Sequence, residues 1–94
     1  MPYDFEWDLI EAEANRRKHG VGFDEAATVF LDPWALSGAD PDHSVAEDRY
    51  ITFGYSSLDR LIAVSHTYRP GAIRIISARR VSRGERKLYE EDER

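Results

Sequence analysis

Between residues 60 and 89 the chain gathers the side chains best suited to work on a phosphate. Arg69, Arg74, Arg79, Arg80 and Arg86 stand there with one histidine, His66, one carboxylate, Glu85, and one tyrosine within the expected last helix, Tyr89. Guanidinium groups bind phosphate oxygens through paired N–H donors and stabilise the charge of a crowded anionic transition state. His66 or Glu85 suits the accompanying proton transfer. Glu85 has a competing duty, because three residues after Ser82 it also completes a helix capping box. Other chemistries find no support. There is no cysteine, the three histidines (His19, His43 and His66) are far apart without metal-ligand spacing, and no Gly-rich phosphate loop or serine nucleophile motif occurs. The expectation is phosphate chemistry without a metal or cofactor.

The charge distribution supports an anionic partner despite a net charge of −5. Residues 1–59 carry 4 Lys/Arg against 13 Asp/Glu, residues 60–88 carry 8 against 1, and residues 89–94 carry 1 against 4. The central block of +7 is an electrostatic footprint for a polyanion if folding places it on one face. The alternative is that the acidic first half folds back and neutralises it.

The elements that must position these groups can be read from local patterns. Phe5-Glu6-Trp7 reads as a short strand. Asp8 and Glu11 form a capping box for a helix over Leu9–His19, ended by basic residues and Gly20. Phe23, Ala26, Ala27 and Phe30 recur at helical spacing, and Asp32-Pro33 stops that second helix. Trp34 to Ser37 reads as a brief edge strand, and the turn-rich stretch from Gly38 to Ser44 as a loop. Strands over Arg49–Tyr55 and Arg60–Thr67 follow, then a type II turn at Arg69-Pro70-Gly71-Ala72 and a strand over Ala72–Arg80. Strict alternation along that last strand puts Ile73, Ile75, Ser77 and Arg79 on one side, and Arg74, Ile76, Ala78 and Arg80 on the other. Ser82 opens a final helix of about Arg83–Glu91, whose acidic end opposes its dipole. These elements predict an α+β fold with an antiparallel meander.

A chain of 94 residues supports one domain, taken as residues 1–94, with a modest core. No apolar run approaches a membrane span and the charged start is unlike a signal peptide, so a soluble cytoplasmic protein is expected.

The ordered set of residues resembles a known family. Phe5-Glu6-Trp7-Asp8, Asn15 with Lys18-His19-Gly20-Val21, Phe23-Asp24-Glu25-Ala26 and Asp32-Pro33 are similar to the first half of BrnT toxins. His43-Ser44 with Glu47 and Arg49, Gly54, the Arg74-Ile75-Ile76-Ser77-Ala78-Arg79 block, Glu85-Arg86 and Tyr89 continue the likeness. Gly22 departs from it, standing where a serine helix cap is common, as does the acidic tail. The resemblance implies a bacterial type II toxin, a ribonuclease that blocks translation. The implied fold is RelE-like: a small antiparallel sheet packed against two N-terminal helices, with a C-terminal helix. The implied partners are RNA and a BrnA-like antitoxin whose DNA-binding domain lets the pair repress its own operon. On this reading Arg69 and Arg79 hold the scissile phosphate and Glu85 or His66 acts as base or acid. Arg74, Arg80, Arg86, Tyr89, His43 and Glu47 contribute to the RNA site. The reading from another functional class is a non-catalytic module of the same fold that binds RNA or a protein.

Overall fold

The computed structural model describes residues 3–40 and 48–91. Its strands are β1 (Asp4–Glu6), β2 (Leu36–Ala39), β3 (Tyr50–Tyr55), β4 (Leu61–Arg69) and β5 (Ala72–Arg80). The helices are α1 (Leu9–His19), α2 (Phe23–Thr28), which tightens into a 3₁₀ turn over Val29–Leu31, and α3 (Arg83–Glu91). The strands form one sheet in the order β1-β5-β4-β3-β2.

The local signals act where their chemistry places them. The Asp8 carboxylate accepts from the amides of Ile10 and Glu11 at 2.8 and 3.0 Å, and Gly20 ends α1 at φ 71°. Gly71, at φ 76°, takes the left-handed position of the type II turn that joins β4 to β5. Ser82 and Glu85 exchange capping bonds, the Ser82 amide donating to the carboxylate at 2.9 Å and the Glu85 amide to the Ser82 hydroxyl at 3.2 Å.

The expected antiparallel sheet is corrected to a mixed one. β2 through β5 are antiparallel, but β1 lies beside β5 and runs parallel to it, with Phe5 opposite Ile73. Local pattern identifies a strand but not its neighbour. Here the chain leaves β1, crosses one sheet face through α1 and α2, and leaves the free side of β5 for β1 to occupy.

A second correction concerns β5. Ser65 pairs with Ser77 and His66 with Ile75, so Ile76 is an extra residue in a β-bulge. The alternation changes phase there. Ile73, Ile75 and Ala78 are all buried, the last two in the core with Val21, Phe23 and Val64 beneath α1 and α2. Arg80 shares their side, whereas Arg79 is turned to the opposite face. Across that face Arg79 is level with Ala63 of β4 and Phe53 of β3.

Asn15 fastens the helical layer to this strand. Its Nδ2 donates to the carbonyls of Val21 and Ala78 at 3.0 and 2.8 Å, and its Oδ1 accepts the Ala78 amide at 3.1 Å. The buried side chain thus serves as a piece of backbone between α1 and β5.

Candidate active site

The face of the sheet turned away from α1 and α2 carries a groove of about 380 Å³. Leu36, Ile51, Phe53 and Leu88 give it apolar walls, and Arg79 and Glu85 supply its charged end. Alternation along β3 explains the floor: Thr52 and Gly54 are buried toward the helices, so Ile51 and Phe53 face the groove. The volume lies in the range of sites for small groups such as a base or nucleotide.

Arg79 is held in a fork. Its Nη1 and Nη2 donate to the two Glu85 carboxylate oxygens at 2.7 and 2.8 Å, and Nη1 also donates to the Arg80 carbonyl at 3.3 Å. The Arg79 side chain stays 39% exposed, so it is pinned in direction yet open to a ligand. Glu85 is pushed down to about 2, chiefly by the Arg79 hydrogen bond and helped by the Ser82 amide, against the opposing effect of burial. It is a permanent carboxylate at any physiological pH.

α3 is anchored at its other end by a polar and aromatic cluster. The Tyr89 hydroxyl donates to Asp32 Oδ2 at 2.7 Å, and the same oxygen accepts the Tyr55 amide at 2.8 Å. The Tyr55 and Tyr89 rings meet edge to face at 5.6 Å, and Arg86 donates to the Tyr55 hydroxyl at 3.3 Å. Arg86 and Tyr89 thus tie α3 to the end of β3 and to the Asp32 turn, and neither lines the groove.

The other sequence candidates are not gathered here. His66 is fully buried on the helix side of β4, packed at 4.9 Å against Phe30 and paired through Nε2 with Thr52 Oγ1 at 2.8 Å. Burial lowers its pKa to about 4. Its expected place beside Arg79 is therefore corrected: β4 turns this imidazole into the core. Arg69 lies six residues along β4 from Ala63, the partner of Arg79, roughly 20 Å away at about 3.3 Å per residue. Arg74 shares the face of Arg79 but is bound to Glu6 at 3.1 Å, on the order of 15 Å along β5. Arg80 faces the α2 side, where it adds to the field that keeps Glu25 ionised below its usual range; the Arg60 hydrogen bond is the larger cause. Arg60 itself forms a close two-pronged pair with Glu25. The acidic first half thus neutralises part of the basic block, through Glu25 and Glu6. His43 and Glu47 lie outside the described residues. Sequence reading missed Phe53, Leu88 and Asp32. The alternation of β3 pointed to the first, but nothing local linked Asp32 to a tyrosine 57 positions later.

Comparison with known proteins gives the site its context. Residues 7–85 match the family model described as the ribonuclease toxin, BrnT, of type II toxin-antitoxin systems. This chain belongs to the BrnT family. The crystal structure of the Brucella abortus ribonuclease toxin BrnT superposes with a TM-score of 0.65 at 25% identity, covering 86% of this chain and 99% of that one. No curated protein matches the chain. The BrnT assignment makes the chain a type II toxin–antitoxin ribonuclease toxin with an antitoxin as partner. Among the described residues no helix is long and apolar enough to cross a membrane, and no three His, Cys, Asp or Glu side chains come together in a metal-binding group.

Proposed function

We propose that this BrnT-family chain is a metal-independent, RelE-like endoribonuclease that cuts RNA in the cytoplasm and so inhibits translation. A BrnA-like antitoxin neutralises it and carries the DNA-binding domain through which the pair controls its operon. The observation that carries the reading is Arg79, aimed by Glu85 at the mouth of an apolar groove.

In the proposed reaction the ribose 2′-oxygen attacks the adjacent phosphorus and the P–O5′ bond breaks. The products are a 2′,3′-cyclic phosphate and a 5′-hydroxyl, with one proton leaving O2′ and one reaching O5′. Arg79 donates to the non-bridging oxygens, whose charge grows in the transition state. Phe53 offers a ring on which a flanking base stacks. Arg74, further along the same face, suits a neighbouring phosphate, as does Arg86 on α3. Glu85 acts here as a positioning residue rather than a base, since a carboxyl with a pKa of about 2 has little drive to take a proton. Burial likewise removes His66 from the proton transfer. His43 and Glu47 are the remaining candidates for that role and the first to substitute.

The reading is tested with Arg79→Ala, its fold checked by circular dichroism. Cleavage of a labelled RNA should fall by about 10²-fold or more, and expression should no longer arrest growth. One observation favours the binding-module reading: Glu85 already neutralises Arg79. A module of that kind would retain RNA on a filter while leaving its length unchanged.

A further inference from the structure

Helix α3 buries none of its own residues, yet it carries both Glu85 and the groove wall Leu88. It cannot be held over the sheet by a buried apolar stripe, the usual means by which a helix is fixed. The bonds described above hold it at two points. One is the Arg79–Glu85 fork at its first turn. The other is the cluster around Tyr89, one turn on, whose hydroxyl reaches Asp32 at 2.7 Å while Arg86 donates to the Tyr55 hydroxyl at 3.3 Å.

Asp32 is itself rigidly set. Its Oδ1 accepts the Trp34 amide at 2.9 Å and its carbonyl accepts the Ala35 amide at 3.1 Å, which fixes the turn after the 3₁₀ segment. Its Oδ2 accepts the Tyr55 amide as well as the Tyr89 hydroxyl, tying that turn to the end of β3. Gly54 makes this approach possible. A Cβ there would sit 2.9 Å from Val29 Cγ1 and 3.2 Å from Asp32 Oδ2, so a larger residue would push the carboxylate away. The pieces are far apart in sequence and converge on one oxygen.

We propose that Asp32 and Tyr89 are positioning residues for RNA cleavage. Their bond fixes the orientation of α3, α3 fixes Glu85, and Glu85 aims the Arg79 guanidinium at the scissile phosphate. The proposal rests on the reading of Arg79 as the phosphate contact. Neither Asp32 nor Tyr89 needs to touch RNA.

The test uses the full chain and a single-turnover cleavage assay. Tyr89→Phe keeps the ring against Tyr55 and removes only the hydroxyl, so it should stay folded while cleaving about 10-fold more slowly. Its affinity for a 2′-O-methyl RNA of the same sequence, which cannot react, should change less than about 3-fold. Asp32→Ala should match it in rate. In an Arg79→Ala background Tyr89→Phe should slow cleavage no further, because the residue through which it acts is gone. Multiplicative losses would show that Tyr89 acts on RNA directly and would overturn the proposal. Wild-type cleavage by folded Tyr89→Phe, with Arg79→Ala inactive, would overturn it too. If Arg79→Ala itself cleaved normally, the phosphate-contact reading would fail first and the positioning role with it. If Asp32→Ala fails to fold, the Tyr89→Phe arms decide alone.

Discussion

Both terminal nitrogens of Arg79 are bound by both carboxylate oxygens of Glu85, across the junction where β5 hands the chain to α3. The same carboxylate caps the helix on which it rides. A strand-borne cation and a helix-borne anion thereby define each other's direction at the end of the groove.

Glu85→Gln should slow cleavage by about 10-fold, because a neutral amide cannot accept both Arg79 donors. The decisive quantity is the shape of the pH–rate profile. With the wild-type carboxyl at about 2, Glu85 is ionised throughout the working range, so the acid limb of the profile should persist in Glu85→Gln. Its disappearance would mean that Glu85 is the base after all.

His66 should govern stability in mild acid. Its imidazole binds a proton near 6.5 when unfolded but only near 4 in the core. Between those values the unfolded state holds more protons, so stability is complete above about pH 6.5 and falls as the pH drops toward 4. The full effect for a shift of this size is about 3 kcal/mol. Glu25 and Glu85 act in the same direction, but below their unfolded value of 4.5. Denaturant unfolding of wild type and His66→Gln between pH 4.5 and 7 isolates the histidine: the variant should lose the slope. An identical slope in both would place the titrating group elsewhere.

Asn15→Ala should cost about 3 kcal/mol, since it leaves the Ala78 amide and two carbonyls buried without their partner. Chemical denaturation measures this directly. A loss below about 1 kcal/mol would mean that the helix-to-β5 link is carried by packing alone.

The antitoxin should cover the groove side rather than α1, by occupying the surface that meets RNA. Association should weaken as salt rises, because exposed charges are screened over about 8 Å at physiological ionic strength. Arg60 and Arg74 are held by Glu25 and Glu6, so Arg83, exposed on the first turn of α3, is the better probe. Arg83→Glu should weaken binding, and Lys18→Glu on α1 should leave it unchanged. The reverse pattern would place the antitoxin on the N-terminal helices.

What was legible in the sequence was local. Asp8, Gly20, Gly71 and the Ser82–Glu85 pair each act on neighbours a few residues away, so their chemistry fixed helix ends and a turn without reference to the rest of the chain. The family motifs added the ribonuclease toxin assignment. What was not legible depended on distant partners. The bulge at Ile76 lies in a run of apolar residues that fits either face, and it decides whether Arg79 or Arg80 reaches the groove. His66 looks like a catalytic imidazole in sequence because nothing local records that Phe30 and Thr52 will enclose it. Asp32 reads as a helix stop, and its bonds to Tyr55 and Tyr89 exist only after folding.

The central claim is that Arg79 stabilises a metal-free attack of the 2′-oxygen. The direct measurement is cleavage of a labelled RNA by purified protein in excess EDTA, with the product ends identified and Arg79→Ala run beside wild type. The account predicts undiminished wild-type cleavage, 2′,3′-cyclic phosphate and 5′-hydroxyl ends, and a loss of about 10²-fold or more in the variant. Cleavage abolished by EDTA and restored by magnesium, or an Arg79→Ala protein that cuts at the wild-type rate, would contradict it.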